Sequence, residues 1–183
     1  ARGANAAAPR EAARQLLGGG AGWRFGQWRA VTDAVRGGVS TASLEPCEAG
    51  AEFKGNLDPS KLSAGFAGVG IDVAALPEPL ASFAGLRLDI AAADGREYAV
   101  LIKLRDAEAG SSYQARLRPD AGALLDVPFD RFVPYRRGRQ DRDAPAMDIS
   151  QAASLSVQIA SNFAQQSGEF SLTFRSIAGL LKP

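Results

Sequence analysis

The sequence predicts an all-β domain, built as an antiparallel sandwich or barrel. Six segments between residues 53 and 174 alternate apolar and polar side chains, which is the pattern of strands with one buried and one wetter face. Turn-forming Pro, Gly, Asp and Ser residues separate these segments. No long helical pattern lies between them, which argues against a parallel βαβ architecture.

The first element in chain order is an N-terminal arm, expected over residues 1–22. Pro9 suits a first helical turn, and the Ala, Arg, Gln and Leu residues after it predict a helix over 9–17. An arm rich in Ala and Arg is typical of a trimmed organelle presequence, and equally of a short arm on a clipped or recombinant chain. Both interpretations stay open, and the main domain is expected over 23–183.

A glycine pair precedes the first strand of that domain, which is expected over residues 39–45. A Walker loop needs a lysine with Ser or Thr after its last glycine, and both it and a dinucleotide fingerprint need a following helix. The stretch "RGGVSTASLE" has no lysine and continues into a β-like segment. Gly37 and Gly38 are therefore predicted to form a tight turn or bulge that leads into the strand.

The later strands follow from their alternation. The third of them also has the apolar Leu101 on its second face, which predicts a central position in a sheet. The expected inward-facing sets, in chain order, are Phe53 and Leu57; Leu86, Leu88 and Ile90; Val100, Ile102 and Leu104; Tyr113, Ala115 and Leu117; Leu155, Val157 and Ile159; and Phe170, Leu172 and Phe174.

Composition and charge argue against several functional classes. The net charge of +1 gives no overall field that favours nucleic acid or acidic lipid. The sequence has no histidine, so the commonest general base and zinc ligand is missing. Its single cysteine, Cys47, has no internal disulfide partner and fits a reducing compartment. No apolar run reaches the roughly 20 residues that a membrane-spanning helix needs.

The densest charge cluster is "RFVPYRRGRQDRD" at residues 131–143. Guanidinium groups bind carboxylates or phosphates through paired hydrogen bonds, although neighbouring aspartates neutralise part of this cluster. The candidate protein-interaction residues are Arg131, Tyr135, Arg136, Arg137 and Arg139.

Acidic residues in turns are candidates for glycoside hydrolysis, which needs two carboxylates that flank the scissile bond. Acids in turns are more often solvated caps and turn formers, and no pair stands out here. The candidates are Asp120, Asp126 and Asp130, or Asp141, Asp143 and Asp148.

Aromatic residues near strand ends are candidates for stacking on sugar rings. Such residues more often pack in a core or against a sheet edge. The candidates are Trp23, Trp28, Tyr98, Tyr113 and Tyr135.

Five segments in order resemble the complex I intermediate-associated protein 30 domain family, over about residues 23–181. The first contains a Trp followed by a D-x-V-x-G-G-x-S core and a strand. The sequence departs from the family pattern at Thr32, where an acid is frequent, and at Leu125, where an aromatic is usual. The five segments are "WRAVTDAVRGGVSTASLE", "AEFKGNLDPSKLSAGFAG", "FAGLRLDIAAADGREYAVLIKL", "VPFDRFVPYRRGR" and "NFAQQSGEFSLTFRSIAGL".

The resemblance implies a galactose-binding-like β-sandwich of the jelly-roll type, with no catalytic residues to carry over. Asp33, Gly37, Gly38 and Ser40 match the motif as structural residues of the turn, where the Asp33 side chain is expected to cap. The best-known members of the family help to assemble mitochondrial respiratory complex I. Related domains occur in plastid proteins that help to build photosynthetic complexes.

The expected function is that of a non-enzymatic protein-interaction module. It would be an assembly factor or accessory subunit of a large organellar membrane-associated complex, with the mitochondrion favoured over the chloroplast. No cofactor or metal is expected, and the expected partners are protein subunits rather than nucleic acid, with at most a peripheral membrane contact. The alternatives are a subunit of a photosynthetic or light-harvesting complex, a carbohydrate-binding module, and a glycoside hydrolase.

Overall fold

Thirteen strands form two antiparallel sheets in residues 12–183, which are the residues that this computed structural model describes. The strands are β1 Ala13–Gly18, β2 Arg29–Thr32, β3 Thr41–Cys47, β4 Gly50–Leu57, β5 Phe66–Asp72, β6 Phe83–Ala93, β7 Tyr98–Leu104, β8 Ser111–Leu117, β9 Leu124–Pro128, β10 Val133–Arg136, β11 Arg139–Gln140, β12 Ala152–Ala160 and β13 Gly168–Leu181. One sheet has the order β3-β4-β13-β6-β9 with β1 also paired to β13, and the other has the order β11-β10-β8-β7-β12-β5-β2.

The hydrophobic core lies between the two sheets and uses the side chains that the alternation predicts. The inward residues of β4, β6, β12 and β13 are at most 4% exposed, from Phe53 and Leu57 to Phe174. Only Leu104, Tyr113 and Leu117 of the predicted inward residues are half-buried. The predicted antiparallel jelly-roll sandwich is therefore confirmed.

Strand β7 is the central strand of the seven-stranded sheet, as predicted from its two apolar faces. It lies between β8 and β12, and Leu101 on its outer face is 5% exposed. The predicted strand over 39–45 is β3, two residues later in the chain at Thr41–Cys47.

The predicted helix over 9–17 is wrong where the structure describes it, because Ala13–Gly18 is strand β1. Residues 9–11 of that prediction lie outside the described residues. The cause is tertiary. Strand β4 pairs with β13 only along residues 168–174, and β1 pairs with the rest of that edge, along residues 176–180. Sheet pairing and burial outweigh the modest helix preference of Ala, Arg, Gln and Leu.

A β-bulge in β1 explains why its sequence does not alternate. The register shifts between Gln15 and Leu17, so that the consecutive residues Leu16 and Leu17 are both fully buried. The described part of the arm therefore contributes to the same core as the later strands.

Candidate functional site

The outer face of the seven-stranded sheet carries a groove of about 290 Å³. Cross-strand pairing builds its floor, because paired residues in neighbouring antiparallel strands point to the same side. Two outward rows cross β5, β12, β7 and β8 in this way: Gly68, Gln158, Ala99 and Arg116; and Gly70, Ser156, Leu101 and Gln114.

Two glycines of β5 keep part of the floor open. A Cβ at Gly68 would lie 2.9 Å from the carbonyl oxygen of Val157, and a Cβ at Gly70 would lie 2.7 Å from Oγ of Ser156. A larger residue at position 68 would therefore require the backbone of β12 to move, whereas one at position 70 would displace the Ser156 hydroxyl.

Loops from distant parts of the chain form the rim of the groove. Arg36 approaches from the connection before β3, and Arg137 from the turn between β10 and β11. The two side chains converge beside Gly110: a Cβ built there would lie 3.1 Å from Cγ of Arg137 and 3.4 Å from Nη2 of Arg36. The backbone N–H of Arg137 also donates to the carbonyl oxygen of Gly110 at 3.0 Å.

The groove is positively charged although the whole chain is nearly neutral. Among the described residues that line it, four are cationic and none is Asp or Glu. Only one of the four forms an ion pair within residues 12–183, at 3.8 Å from Glu97. We call this surface the basic groove, after its cations Arg36, Lys103, Arg116 and Arg137.

The turn motif around Gly37 and Gly38 holds one rim of the basic groove through a buried carboxylate. Asp33 is fully buried, and its oxygens accept hydrogen bonds from Ser40 N (3.0 Å), Ser40 Oγ (2.7 Å) and Phe66 N (3.1 Å). The cap of the short 3-10 turn is instead the hydroxyl of Thr32, which accepts from Ala34 N at 3.3 Å.

The two glycines of that turn have different roles. Gly37 has φ +83°, in the left-handed region that favours glycine, and closes the 3-10 turn Asp33–Arg36. Gly38 lies against the carboxylate of Asp33, and a Cβ there would overlap it. The turn thereby positions Arg36 and the 80% exposed Val35 at the groove.

A left-handed loop forms another part of the rim. Asn162, Phe163 and Ala164 have φ of 50°, 58° and 68°, although none is glycine. The side chain of Gln166 holds this loop with hydrogen bonds to the backbone of Glu97 and to the carbonyl oxygen of Ala160. The result is that Phe163, an apolar residue lining the groove, is 58% exposed.

We expect Ala164→Gly to raise the free energy of unfolding by about 1 kcal/mol, because glycine removes the cost of the left-handed backbone. Chemical denaturation checks this, with Ala146→Gly as the control at an exposed loop position without positive φ. The control should lower stability by less than about 1 kcal/mol. A loss of stability in Ala164→Gly would contradict the strained loop.

The five predicted interaction residues do not form one patch. Arg137 lines the basic groove, whereas Tyr135 and Arg136 line a second cavity of about 430 Å³. The guanidinium of Arg136 lies 2.9 Å from the carboxylate of Glu108, and the guanidinium of Arg116 lies 4.5 Å from the centre of the Tyr135 ring. The remaining two are exposed: Arg139 opposite Arg136 in the β10–β11 hairpin, and Arg131 in the 3-10 turn Phe129–Arg131.

Sequence reasoning missed three of the four groove cations. Arg36, Lys103 and Arg116 stand singly in the sequence, without a cluster that singles them out. The alternation predicts that Lys103 and Arg116 point outward from their strands. It does not predict that β7 and β8 are neighbours, which places both residues on one surface.

The geometry can now be compared with known proteins. The family described as complex I intermediate-associated protein 30 matches residues 21–174. The chain belongs to this family. Its family is associated with complex I assembly and with mitochondria. The resemblance of the five segments is therefore confirmed.

One relative is a protein of Schizosaccharomyces pombe, described as "Uncharacterized protein C9E9.15". It is 32% identical over 183 residues, which cover 91% of this chain and 84% of the relative.

Solved structures similar to this family member include family 11 carbohydrate-binding modules. One, from Clostridium thermocellum in complex with a β-1,3-1,4-mixed-linked tetrasaccharide, has a TM-score of 0.58 and 17% identity, and covers 93% of this chain and 98% of the module. The module from the cellulosomal cellulase Lic26A-Cel5E has the same score and identity, with coverages of 92% and 96%. At such identities the likeness shows the fold.

The aromatic candidates for sugar stacking do not lie on the floor of the basic groove. Trp23 and Tyr98 are 7% and 1% exposed in the core. Trp28 is half-buried and donates from Nε1 to the carbonyl oxygen of Trp23 at 2.8 Å. Tyr113 and Tyr135 line the second cavity rather than the basic groove. The Tyr113 hydroxyl donates to the carbonyl oxygen of Pro145 at 2.7 Å, and the Tyr135 ring is covered by Arg116.

Three of the six acidic candidates for hydrolysis accept hydrogen bonds from neighbouring residues. Asp126 forms two hydrogen bonds with Arg87, at 2.6 and 2.9 Å. Asp141 accepts from the backbone N–H of Asp143, and Asp148 from Ser150 N and Oγ. Asp120 and Asp130 are exposed and line neither of the two cavities above.

Two further features of residues 12–183 concern metal binding and membrane insertion. In that range no three Cys, Asp or Glu side chains are grouped as a metal site requires. No helix of the same range has the length and apolar character to cross a bilayer.

Proposed function

We propose that this chain is a non-catalytic protein-interaction module, which acts as an assembly factor or accessory subunit of a large organellar complex of the respiratory complex I type. Family membership supports the class of complex and favours the mitochondrion. The observation that carries the interaction role is the basic groove, where four cations and the exposed Phe163 share one surface. Arginine and aromatic side chains are the residues that most often anchor protein interfaces.

The architecture suits a docking surface that changes little on binding. The floor of the basic groove consists of paired strands, so the backbone that carries its side chains is held in place before a partner arrives. Preorganisation of this kind reduces the entropy that association costs. The β10–β11 hairpin extends the same surface through Arg137 and the exposed Arg139.

A carbohydrate-binding function is the second candidate, because the solved modules with the same fold include one in complex with a glucan. The groove of this chain offers hydroxyl and amide groups but no bare Trp or Tyr ring on its floor, among the residues that the structure describes. Sugar recognition by stacking would need such rings. The protein-interaction role therefore has the stronger support.

Affinity purification of the tagged chain from its source organism, followed by mass spectrometry, tests the proposal. We expect respiratory complex I subunits to co-purify. We expect Arg136→Ala/Arg137→Ala/Arg139→Ala to reduce their recovery about tenfold, since arginines that anchor an interface each contribute about 1 kcal/mol or more. All three lie in the β10–β11 hairpin, and Arg137 of the three lines the basic groove.

The matched control is Lys61→Ala/Arg105→Ala/Arg142→Ala, which removes the same charge from exposed residues outside the basic groove. It should retain the recovery of the unmodified chain. Photosynthetic subunits in place of respiratory ones would overturn the mitochondrial assignment. Unchanged recovery in the hairpin variant would remove the hairpin from the docking surface.

A further inference from the structure

We infer that the basic groove binds an extended acidic segment of a partner polypeptide, with an apolar side chain of that segment against Phe163 and Val35. The inference rests on the proposed function and adds the chemistry of the partner. It combines two independent features of the groove: its charge, which includes the Arg36 and Arg137 side chains that meet beside Gly110, and its exposed apolar rim.

Charge complementarity identifies the ligand as anionic. Arg36, Lys103 and Arg137 form no ion pair with any carboxylate of residues 12–183. The chain has 20 acidic residues for its 21 basic ones, so a cationic surface without Asp or Glu is not a consequence of composition. Like charges gathered on one face repel each other, and an anion relieves that repulsion.

The arginine pair beside Gly110 offers donors for a carboxylate. Arg36 and Arg137 reach this point from rims that are far apart in sequence, and each guanidinium presents several N–H groups in one plane. Glycine at position 110, with φ +81°, lets both side chains lie close to its backbone, since a Cβ there would crowd Cγ of Arg137. Bidentate recognition of a carboxylate by arginine is the strongest polar contact available at such a site.

The apolar rim favours a polypeptide over a purely ionic ligand. Phe163 and Val35 are 58% and 80% exposed, and both line the groove with the more buried Leu101 and the half-buried Phe66. A side chain of a partner segment that packs here removes apolar surface from water on both molecules. A polyuronate or a nucleic acid backbone has no aliphatic side chain to place there.

The groove floor also suits an extended main chain. Gln158 and Ser156 of β12 point outward beside Gly68 and Gly70 of β5, and Gln114 of β8 points to the same side on the far side of β7. Amide and hydroxyl side chains both donate and accept hydrogen bonds, as the N–H and C=O groups of an extended segment require. Asp and Glu side chains of the bound segment would then face the cations of the basic groove.

Selection from a phage-displayed library of random dodecapeptides, with the complete chain as bait at low salt, tests the inference. We expect the recovered peptides to be enriched in Asp and Glu over the unselected library, with at least one aliphatic or aromatic residue. Fluorescence polarisation then measures the Kd of a recovered peptide, and the Kd of its counterpart with Gln and Asn in place of Glu and Asp. The amide counterpart should bind at least about tenfold more weakly, because charge-assisted hydrogen bonds are lost.

The groove variant Lys103→Gln/Arg116→Gln/Arg137→Gln should weaken binding of the same peptide about tenfold, since each partly exposed cation contributes a few-fold. The matched control Lys61→Gln/Arg105→Gln/Arg142→Gln makes the same change of charge outside the groove and should change binding less than about twofold. Phe163→Ala should weaken binding without reducing stability, because its side chain is mostly exposed.

Three outcomes overturn the inference: recovered peptides without acidic enrichment, equal weakening in the groove variant and its control, or binding of polygalacturonate or mixed-linkage β-glucan in place of acidic peptides. The proposed function fails separately. If complex subunits co-purify equally with the groove variant, the inference is wrong and the assembly role stands. If acidic peptides bind the groove but no complex subunit co-purifies, the assembly role is wrong.

Discussion

Replacing Leu17 with alanine is expected to lower the free energy of unfolding by about 3 kcal/mol, the middle of the range for a fully buried leucine. Leu17 is 0% exposed and lies in strand β1, where it pairs with the buried Ile177 of β13. The truncation leaves a cavity between two elements that are each held by pairing, so the surroundings cannot close over it. Urea denaturation monitored by tryptophan fluorescence measures the change.

Two controls separate burial in the sheet from a general effect on the arm. Gln15→Ala changes an exposed neighbour in the same strand and should alter stability by less than about 0.5 kcal/mol. Leu17→Ile preserves volume and should cost less than about 1.5 kcal/mol. A Leu17→Ala variant as stable as Gln15→Ala would mean that β1 does not contribute to the core.

Replacing Asp33 with alanine is also expected to lower the free energy of unfolding by about 3 kcal/mol, through lost hydrogen bonds rather than lost apolar contact. The carboxylate accepts hydrogen bonds from the backbone N–H groups of Ser40 and Phe66 and from the Ser40 hydroxyl. Alanine leaves these three donors without that acceptor. A hydrogen bond to a charged group contributes about 1.5–3 kcal/mol, and an orphaned buried donor costs about 1–3 kcal/mol. Denaturation with guanidinium chloride provides the measurement.

The comparison with Asp33→Asn tests the role of the carboxylate directly. The amide retains one oxygen acceptor but presents an N–H₂ group to donors, so we expect a loss between those of alanine and the unmodified protein. Thr32→Ala removes only the half-buried cap of the adjacent turn and should cost about 1 kcal/mol. Asp33→Ala with a smaller loss than Thr32→Ala would contradict the view that this carboxylate holds the groove rim.

The sequence by itself determined which side chains enter the core of this protein. Side chains along a strand alternate between two faces, so a period of two in residues such as Leu155, Val157 and Ile159 reports burial without knowledge of the partner strand. Turn residues are equally local, which is why the glycines after Asp33 were readable as a turn. Family membership was also predictable, because its motifs lie in order along the chain.

Only the tertiary structure decided the state of the N-terminal segment and the location of the candidate site. Leu16 and Leu17 have a helix-compatible sequence, and they form a strand because the edge of β13 accepts them. Arg36 and Arg137 are about a hundred residues apart, yet both reach Gly110. Pairing between distant strands is set by the sum of many long-range contacts, so no local pattern encodes which outward residues share a surface.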